Sequence, residues 1–160
     1  MRAPLLISLA FVLMAGCSSS NDGGGSGGVT ADSYVGTWTF QSGSIDPGCP
    51  ASLNIPAIDL TGEPVTIAKT DSTHISMMIA ATDVMCDVVF TVSGSTATAA
   101  SGQTCAIKAS GITANVTVST WTLMLSDSTI NMSMTGTANA IVTCDPTSTG
   151  TMVKSGGDAG

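Results

Sequence analysis

The sequence predicts an all-β domain, built as a small antiparallel up-and-down barrel of seven or eight strands, with a β-sandwich as the alternative. Three observations lead to this fold class. Residues that normally cover helix surfaces are scarce, because the chain has one Glu and only four Lys and Arg together. Thr, which suits a pleated sheet, occurs 23 times. Short segments of alternating apolar and polar residues follow one another as hairpins without a Greek-key signature, which favours the barrel.

The alternation places the strands in order along the chain. We predict strands over 35–41, 65–70, 74–79, 84–92, 96–100, 104–109, 112–126 and 129–143. Residues 46–64 hold four prolines and read as a long connection, in which a short strand over 52–55 is left open. Residues 101–103 (SGQ) predict a bulge or bend. In the strand over 112–126 the apolar residues change parity, which predicts a bulge near Ser119 and Thr120.

The N-terminus predicts export and a lipid anchor. Arg2 precedes an apolar run over 5–14, which has the length of a signal-peptide core and is too short to span a bilayer. The sequence Met14-Ala15-Gly16-Cys17 resembles the bacterial lipobox. This resemblance implies cleavage before Cys17, acylation of that cysteine with chains such as palmitate, and attachment to a membrane. An ordinary signal peptide with an incidental Cys17 is the alternative.

The rest of the chain divides by composition. Residues 18–28 consist mostly of Ser and Gly, which predicts a flexible tether. We therefore expect a lipoprotein signal peptide over 1–16, a lipidated Cys17 with its tether over 17–28, a barrel-like domain over 29–154 and a disordered tail over 155–160. The lipobox resemblance implies the bacterial cell envelope. Ser18, directly after Cys17, favours attachment to the outer membrane. It does not indicate whether the domain faces the periplasm or the cell surface.

The charge of the domain excludes one class of partner. Cleavage removes Arg2 and leaves Lys69, Lys108 and Lys154 against eleven acidic residues. A nucleic-acid backbone needs Lys and Arg to displace its counterions, so we expect no nucleic-acid binding.

The four cysteines after Cys17 predict two disulfides, because exported domains carry disulfides and zinc ligands are usually spaced more closely than these cysteines. In an antiparallel meander Cys86 lies early in its strand and Cys105 late in the next, so they meet at one end and form the preferred pair. Cys144 falls at the same end. Cys49 pairs with it directly if 46–64 contains no crossing strand; otherwise the loop must carry Cys49 across, and this point stays open.

The first strand carries a family resemblance. Gly36-Thr37-Trp38 resembles the opening of lipocalins, and the same run with Gln41 and Gly43-Ser44 resembles the opening of avidins. Both are calycins, small barrels that bind ligands inside. The lipocalin resemblance implies that Trp38 packs across a closed base, where a later basic residue often covers it. We expect no such partner here, because the only late basic residue, Lys154, stands at the very end of the predicted domain and is a poor candidate. Ser44 matches an avidin polar contact, but the avidin aromatic box is absent, so we do not expect biotin.

These features lead to a functional hypothesis. We expect a membrane-anchored envelope lipoprotein that binds a small apolar ligand inside the barrel. The alternative is a structural or interaction lipoprotein with a filled core and no ligand. The inward residues expected to line the ligand site or the core are Trp38, Phe40, Met77, Ile79, Phe90, Trp121, Met132 and Met134. The small residues that permit a modest cavity are Ala97, Ala99, Gly136, Ala138 and Ala140.

No catalytic, cofactor or metal site is expected. His74, the only histidine, shares a face with Ser76 away from the apolar side of its strand, which predicts an exposed side chain. Most acidic residues fall in turns, where Asp caps backbone amides. Methionine thioethers can bind Cu(I). However, Met132 and Met134 lie on an apolar strand face, which indicates core filling.

Overall fold

The strands follow one another as antiparallel hairpins, and the last strand pairs with the first. The computed structural model describes residues 28–139 and 142–156. Within them the elements are α1 (Ala31–Tyr34), β1 (Gly36–Asp46), β2 (Ile58–Asp59), β3 (Pro64–Lys69), β4 (His74–Ala80), β5 (Val84–Ser93), β6 (Thr96–Ala99), β7 (Thr104–Ala109), β8 (Ile112–Ser126), β9 (Thr129–Asn139), β10 (Thr143–Cys144) and β11 (Thr147–Lys154). A single 3₁₀ turn covers Ala51–Leu53. None of the described helices is long and apolar enough to cross a bilayer.

The sheet closes into an eight-stranded barrel. Around the barrel the order of the strands is β1, β3, β4, β5, β6/β7, β8, β9 and β11, where β6 and β7 together occupy one strand position. All pairs are antiparallel, and β11 pairs with β1 to close the circle. The two short strands β2 and β10 add to the rims of β1 and β9. The predicted lipocalin-like up-and-down barrel is therefore confirmed, and the sandwich alternative is excluded.

The sequence does not predict the strand that closes the barrel. The predicted strand over 129–143 ends as β9 at Asn139, and a separate strand, β11, follows. The inward positions of β11 are Ser148, Gly150 and Met152, and Met152 is the one with a large apolar side chain. The alternation of hydrophobicity is therefore too weak to indicate a strand, although the β1–β11 ladder runs from the Trp38–Lys154 pair to the Asp46–Thr147 pair.

The predicted bulge on β8 is confirmed. Val118 pairs with Gly136 and Thr120 pairs with Thr135, so Ser119 is the unpaired extra residue. This insertion explains why the apolar residues change face along β8. A further bulge, which the sequence did not indicate, lies in β1 between Phe40 and Ser42.

The bend predicted at 101–103 separates β6 from β7 and is also confirmed. Both β6 and β7 pair with β5 on one side and with β8 on the other. Between the end of β6 and the start of β7, the Gln103 side-chain amide accepts a hydrogen bond from the Val89 N–H and donates one to the Val89 carbonyl, both at 2.8 Å. The Gln103 side chain thus replaces the missing backbone partner of β5, and the ladder continues across the bend.

The barrel has two different ends. We call the end that holds α1, the start of β1 and the last residues of β11 the helix end. The opposite end holds the last residues of β1, the β7–β8 turn, β10 and both disulfides, and we call it the disulfide end.

Large apolar side chains fill the centre of the barrel. Phe90 and Trp121 meet edge to face, with ring centroids 5.7 Å apart. The Phe40 ring packs on Gly43 and Gly150, where an added Cβ would come within 3.1 and 2.9 Å of it. The largest fully buried side chains are Trp38, Trp121, Tyr34, Phe40, Phe90, Leu60, Ile67, Ile75, Met77, Ile79, Leu123 and Ile130.

Candidate functional site

Both disulfides lie at the disulfide end, and their pairing is now clear. Cys86 is joined to Cys105, as preferred from the sequence, and Cys49 is joined to Cys144. The sequence leaves the second pair open, because a crossing strand in 46–64 would move Cys49 to the other end. In the structure this stretch holds only a 3₁₀ turn and the two-residue strand β2, so Cys49 stays beside Cys144.

The two bridges have different surroundings. Cys86 and Cys105 lie directly opposite each other in the β5–β7 ladder, and both are buried. Cys49 is half-buried and belongs to an irregular segment, residues 47–57, which we call the strap. The Cys49–Cys144 bridge therefore holds the strap against the barrel, whereas the Cys86–Cys105 bridge joins two strands that are already paired.

The strap crosses the disulfide end and makes few backbone hydrogen bonds to the barrel. At its start the Asp145 N–H donates to the Gly48 carbonyl at 3.3 Å. The φ angle of Gly48 is 60°, and a Cβ there would lie 2.1 Å from the Asp145 carbonyl oxygen, so only glycine fits. The 3₁₀ turn makes local bonds, from Leu53 N–H to the Pro50 carbonyl and from Asn54 N–H to the Ala51 carbonyl. The disulfide is thus the main link near the start of the strap.

Beneath the strap lies an apolar cavity of about 140 Å³. Among the described residues that line it none is charged, and Ser110 is the one that carries a hydroxyl. The residues around it are Ile45, Pro47, Cys49, Leu53, Ile55, Ile107, Ala109, Ser110, Ile112, Ala114, Val116, Ala138, Val142, Cys144 and Pro146.

The cavity has a buried part and a rim that reaches solvent. Ile107, Val116 and Ala138 are buried, whereas Leu53 is 41% and Ile112 is 38% exposed. Leu53 comes from the strap, and Ile112 follows the β7–β8 turn at Ser110 and Gly111. Both turn residues have positive φ, 50° and 78°, as a type I′ hairpin requires. A ligand can therefore reach the cavity between the strap and this turn.

The residues that the sequence predicted to line a site are all in the core. Each of the eight is at most 4% exposed, and none of them lines the cavity. Of the small residues expected to permit a cavity, Ala138 does line it. Ala97 and Ala99 are buried elsewhere in the core, Gly136 packs against Val116, and Ala140 lies outside the described residues. Cys17 and the lipobox also lie outside the described residues.

The helix end is closed by Trp38. Its indole Nε1–H donates to the Tyr34 carbonyl at 2.8 Å, and both side chains are buried. The expectation that no basic residue covers Trp38 was wrong, because Lys154 Nζ lies 5.5 Å from the centre of the Trp38 ring. Lys154 is the last residue of β11 and stands directly opposite Trp38 in the ladder. Trp38 is therefore a plug at the end remote from the cavity.

The structure also gives the surroundings of Ser155 and Ser44. Ser155, assigned to the tail, donates its backbone N–H to the Thr37 carbonyl at 2.8 Å, and its hydroxyl contacts the Thr39 hydroxyl. Ser44, matched to an avidin contact, is exposed on the outer face because the bulge before Ser42 shifts the parity of β1. Burial raises the pKa of the Tyr34 hydroxyl, which has no hydrogen-bond partner among the described residues.

His74 belongs to a capped turn on the surface. Its Nδ1 lies 2.9 Å from Asp71 Oδ2, and the two side chains are 39% and 55% exposed. Asp71 also accepts hydrogen bonds from the backbone N–H groups of Thr73 and His74. The Thr73 backbone bond, followed by the His74 side chain, lowers the pKa of Asp71 to about 2. The described residues hold no group of three or more His, Cys, Asp or Glu side chains that could bind a metal ion.

The seven methionines among the described residues divide between the core and the outer surface. Met77, Met132, Met134 and Met152 are buried, in agreement with core filling. The other three, Met78, Met85 and Met124, are exposed.

A wider depression of about 450 Å³ lies on the outer face, between β1, β9 and β11. Hydroxyl and amide side chains such as Ser42, Asn131 and Thr149 surround it, and none of its lining side chains is charged. It offers no group that would select a particular ligand.

The fold and the site define a small antiparallel barrel that is plugged at one end and has an apolar cavity at the other. The chain matches no protein-family model, no curated protein and no solved structure.

Proposed function

We propose that the protein is an envelope lipoprotein that binds a small apolar ligand in the cavity at the disulfide end. The observation that carries the proposal is the cavity lining, which is apolar except for Ser110 and reaches solvent at Leu53 and Ile112. Small-molecule sites are typically concave and mainly apolar, as this one is. The calycin resemblance of Gly36-Thr37-Trp38 supports a binding role, although the site lies at the other end from Trp38.

The sequence of the N-terminal segment supports the lipid anchor. Met14-Ala15-Gly16-Cys17 resembles a lipobox, and residues 18–28 have the composition of a flexible tether. The chain enters the barrel through α1 at the helix end. A tether there leaves the cavity at the opposite end free of the anchor, so that membrane attachment and ligand binding are compatible.

One observation favours the second candidate, an interaction lipoprotein without a ligand. The centre of the barrel is filled by large side chains, including the Phe90–Trp121 pair. A ligand buried at the middle of the barrel, as in open calycins, therefore has no space here. Under this candidate the cavity stays empty and the protein works through its surface.

Native mass spectrometry distinguishes the two candidates. The protein is purified from its own envelope without organic solvent, and we expect a small molecule to copurify with it. In Ala114→Leu the larger side chain fills part of the cavity, and we expect the adduct to be lost. Met124→Ala, at an exposed position on the outer face, is the matched control and keeps the adduct. A clean apo mass for the wild type contradicts ligand binding.

The anchor is tested separately by fractionation. Cys17→Ser removes the acylated sulfur, and we expect the variant to leave the membrane fraction and to lose labelling by a palmitate analogue. Ser18→Ala, one residue further on, retains both. If Cys17→Ser remains in the membrane fraction, the lipid anchor is wrong.

A further inference from the structure

We infer that the cavity selects a single uncharged, ring-sized apolar group, and that the strap pinned by the Cys49–Cys144 bridge sets this size limit. The inference rests on the proposed function, since it names the ligand class and the specificity determinant of the same site.

The volume of the cavity sets the size of the ligand. At about 140 Å³ it is comparable to an apolar cavity of about 150 Å³ that takes up benzene or xenon. It is too small to enclose a long acyl chain or a tetrapyrrole. Further along β8, towards the centre of the barrel, the inward positions are held by the buried side chains of Val118 and Trp121. The ligand is therefore one small ring or a short branched alkyl group, alone or at the end of a larger molecule.

The chemistry of the lining excludes charged and strongly polar ligands. The described part of the lining holds no Lys, His, Asp or Glu side chain, so an ionised group would be buried there without a partner. Asp46 precedes the lining residue Pro47, and Asp145 lies between Cys144 and Pro146, so two acidic residues adjoin the lining in sequence. Anionic ligands such as carboxylates are therefore disfavoured, and a sugar would lose hydrogen bonds to water without replacement.

The strap bounds the cavity on the solvent side. It contributes Leu53 and Ile55 to the lining, and the Cys49 and Cys144 sulfurs belong to the same wall. Among the described residues, the backbone bonds of the 3₁₀ turn stay within the strap. The bridge therefore keeps the strap close to the barrel, and loosening it or shortening Leu53 enlarges the space available.

The experiment measures binding of benzene, naphthalene and hexanoate to the soluble Cys17→Ser protein by ligand-observed NMR, with methyl shifts of Ile107 and Val116 to locate the site. For the wild-type domain we expect benzene to bind at least tenfold more tightly than naphthalene, and no binding of hexanoate. In Leu53→Ala we expect naphthalene affinity to rise at least fivefold. Leu53 is exposed and outside the packed core, so this variant should fold normally.

The Cys49→Ser/Cys144→Ser double variant provides the second test, with Met124→Ala as a control that leaves the wild-type profile unchanged. We expect the double variant to accept naphthalene as Leu53→Ala does. Equal affinity of the wild type for benzene and naphthalene overturns the size limit while the binding function stands. An unchanged profile in both Leu53→Ala and the double variant overturns the role of the strap. Failure of every probe to bind overturns the proposed function itself.

Discussion

Lys154 Nζ lies 5.5 Å from the centre of the Trp38 ring, and the two residues face each other across the β1–β11 ladder. The contact links the first strand of the barrel to the last at the helix end. The stem of Lys154 also packs on Gly36, where an added Cβ would lie 2.9 Å from Lys154 Cε. Trp38, Lys154 and Gly36 therefore form one closing contact, and the charge of Lys154 is the part that can be removed alone.

Replacing Lys154 by Met keeps an apolar stem and removes the charge over the Trp38 ring. We expect a loss of about 0.5–1 kcal/mol in the free energy of unfolding, the usual size of an exposed cation–π contact. Urea denaturation followed by tryptophan fluorescence measures it. Lys108→Met, at an exposed position on β7, should change the free energy by less than about 0.5 kcal/mol. Equal effects of the two variants would mean that the contact with Trp38 contributes nothing.

Gly48 and Gly94 form a matched pair for testing the start of the strap. Their φ angles are 60° and 59°, but only at Gly48 does an added Cβ meet another group, the Asp145 carbonyl oxygen. Alanine in this left-handed conformation costs about 1–2 kcal/mol at either site. At Gly48 we expect a further loss of about 1–3 kcal/mol from the steric clash. Urea denaturation of Gly48→Ala and Gly94→Ala gives the difference directly, and equal losses contradict the close approach of the strap to Asp145.

The two disulfides should differ in their contribution to stability. Cys49 and Cys144 are 95 residues apart and Cys86 and Cys105 are 19 apart. In the chain-entropy model the bridges stabilise the fold by about 5 and about 3 kcal/mol, respectively. The half-buried Cys49 is also the most accessible of the four sulfurs, so a mild dithiol should reduce its bridge first. Alkylation of the thiols that are freed during reduction, followed by peptide mass mapping, measures the order in which the two bridges open. Earlier loss of the Cys86–Cys105 bridge would contradict the exposure argument.

The Asp71 turn makes stability depend on pH in the acid range. The folded-state pKa of Asp71, about 2, lies below the ordinary value of 3.8. Its stabilising contribution is therefore complete above about pH 4 and is lost as the pH falls towards 2. We expect Asp71→Asn to be less stable than the wild type at pH 6, and the two to converge near pH 2. Denaturation curves at both pH values test this, and a constant difference between the proteins would contradict the assigned pKa.

The sequence indicates the barrel and much of its detail because local patterns control those features. The parity change on β8 reveals the bulge at Ser119, since side chains alternate strictly along a strand. The Cys86–Cys105 pair follows from strand directions alone. In contrast, β11 has inward Ser148 and Gly150, so its role in closing the barrel depends on distant pairing and not on its own hydrophobic pattern.

The candidate site is less predictable because it arises from contacts between segments. The pattern of inward aromatic and methionine side chains suggests that they line a ligand cavity. In the structure these side chains pack against one another and fill the barrel, as Phe90 and Trp121 do. The cavity forms where Ala114 and Ala138 leave room at the disulfide end and the strap covers it. The position of the strap follows from the Cys49–Cys144 bridge, which the sequence alone leaves as one of two alternatives.

Closure by β1 and β11 also determines when the domain can finish folding. It joins distant positions such as Thr39 and Ser155, which are separated by 116 residues. Pairing over such a distance is slow, because a long loop must be ordered before the contacts form. Until then β1 and β9 each present an unpaired edge to which other chains can add. A chain shortened before Thr147 should keep those edges permanently and aggregate, so a strand whose one buried hydrophobic residue is Met152 protects the others.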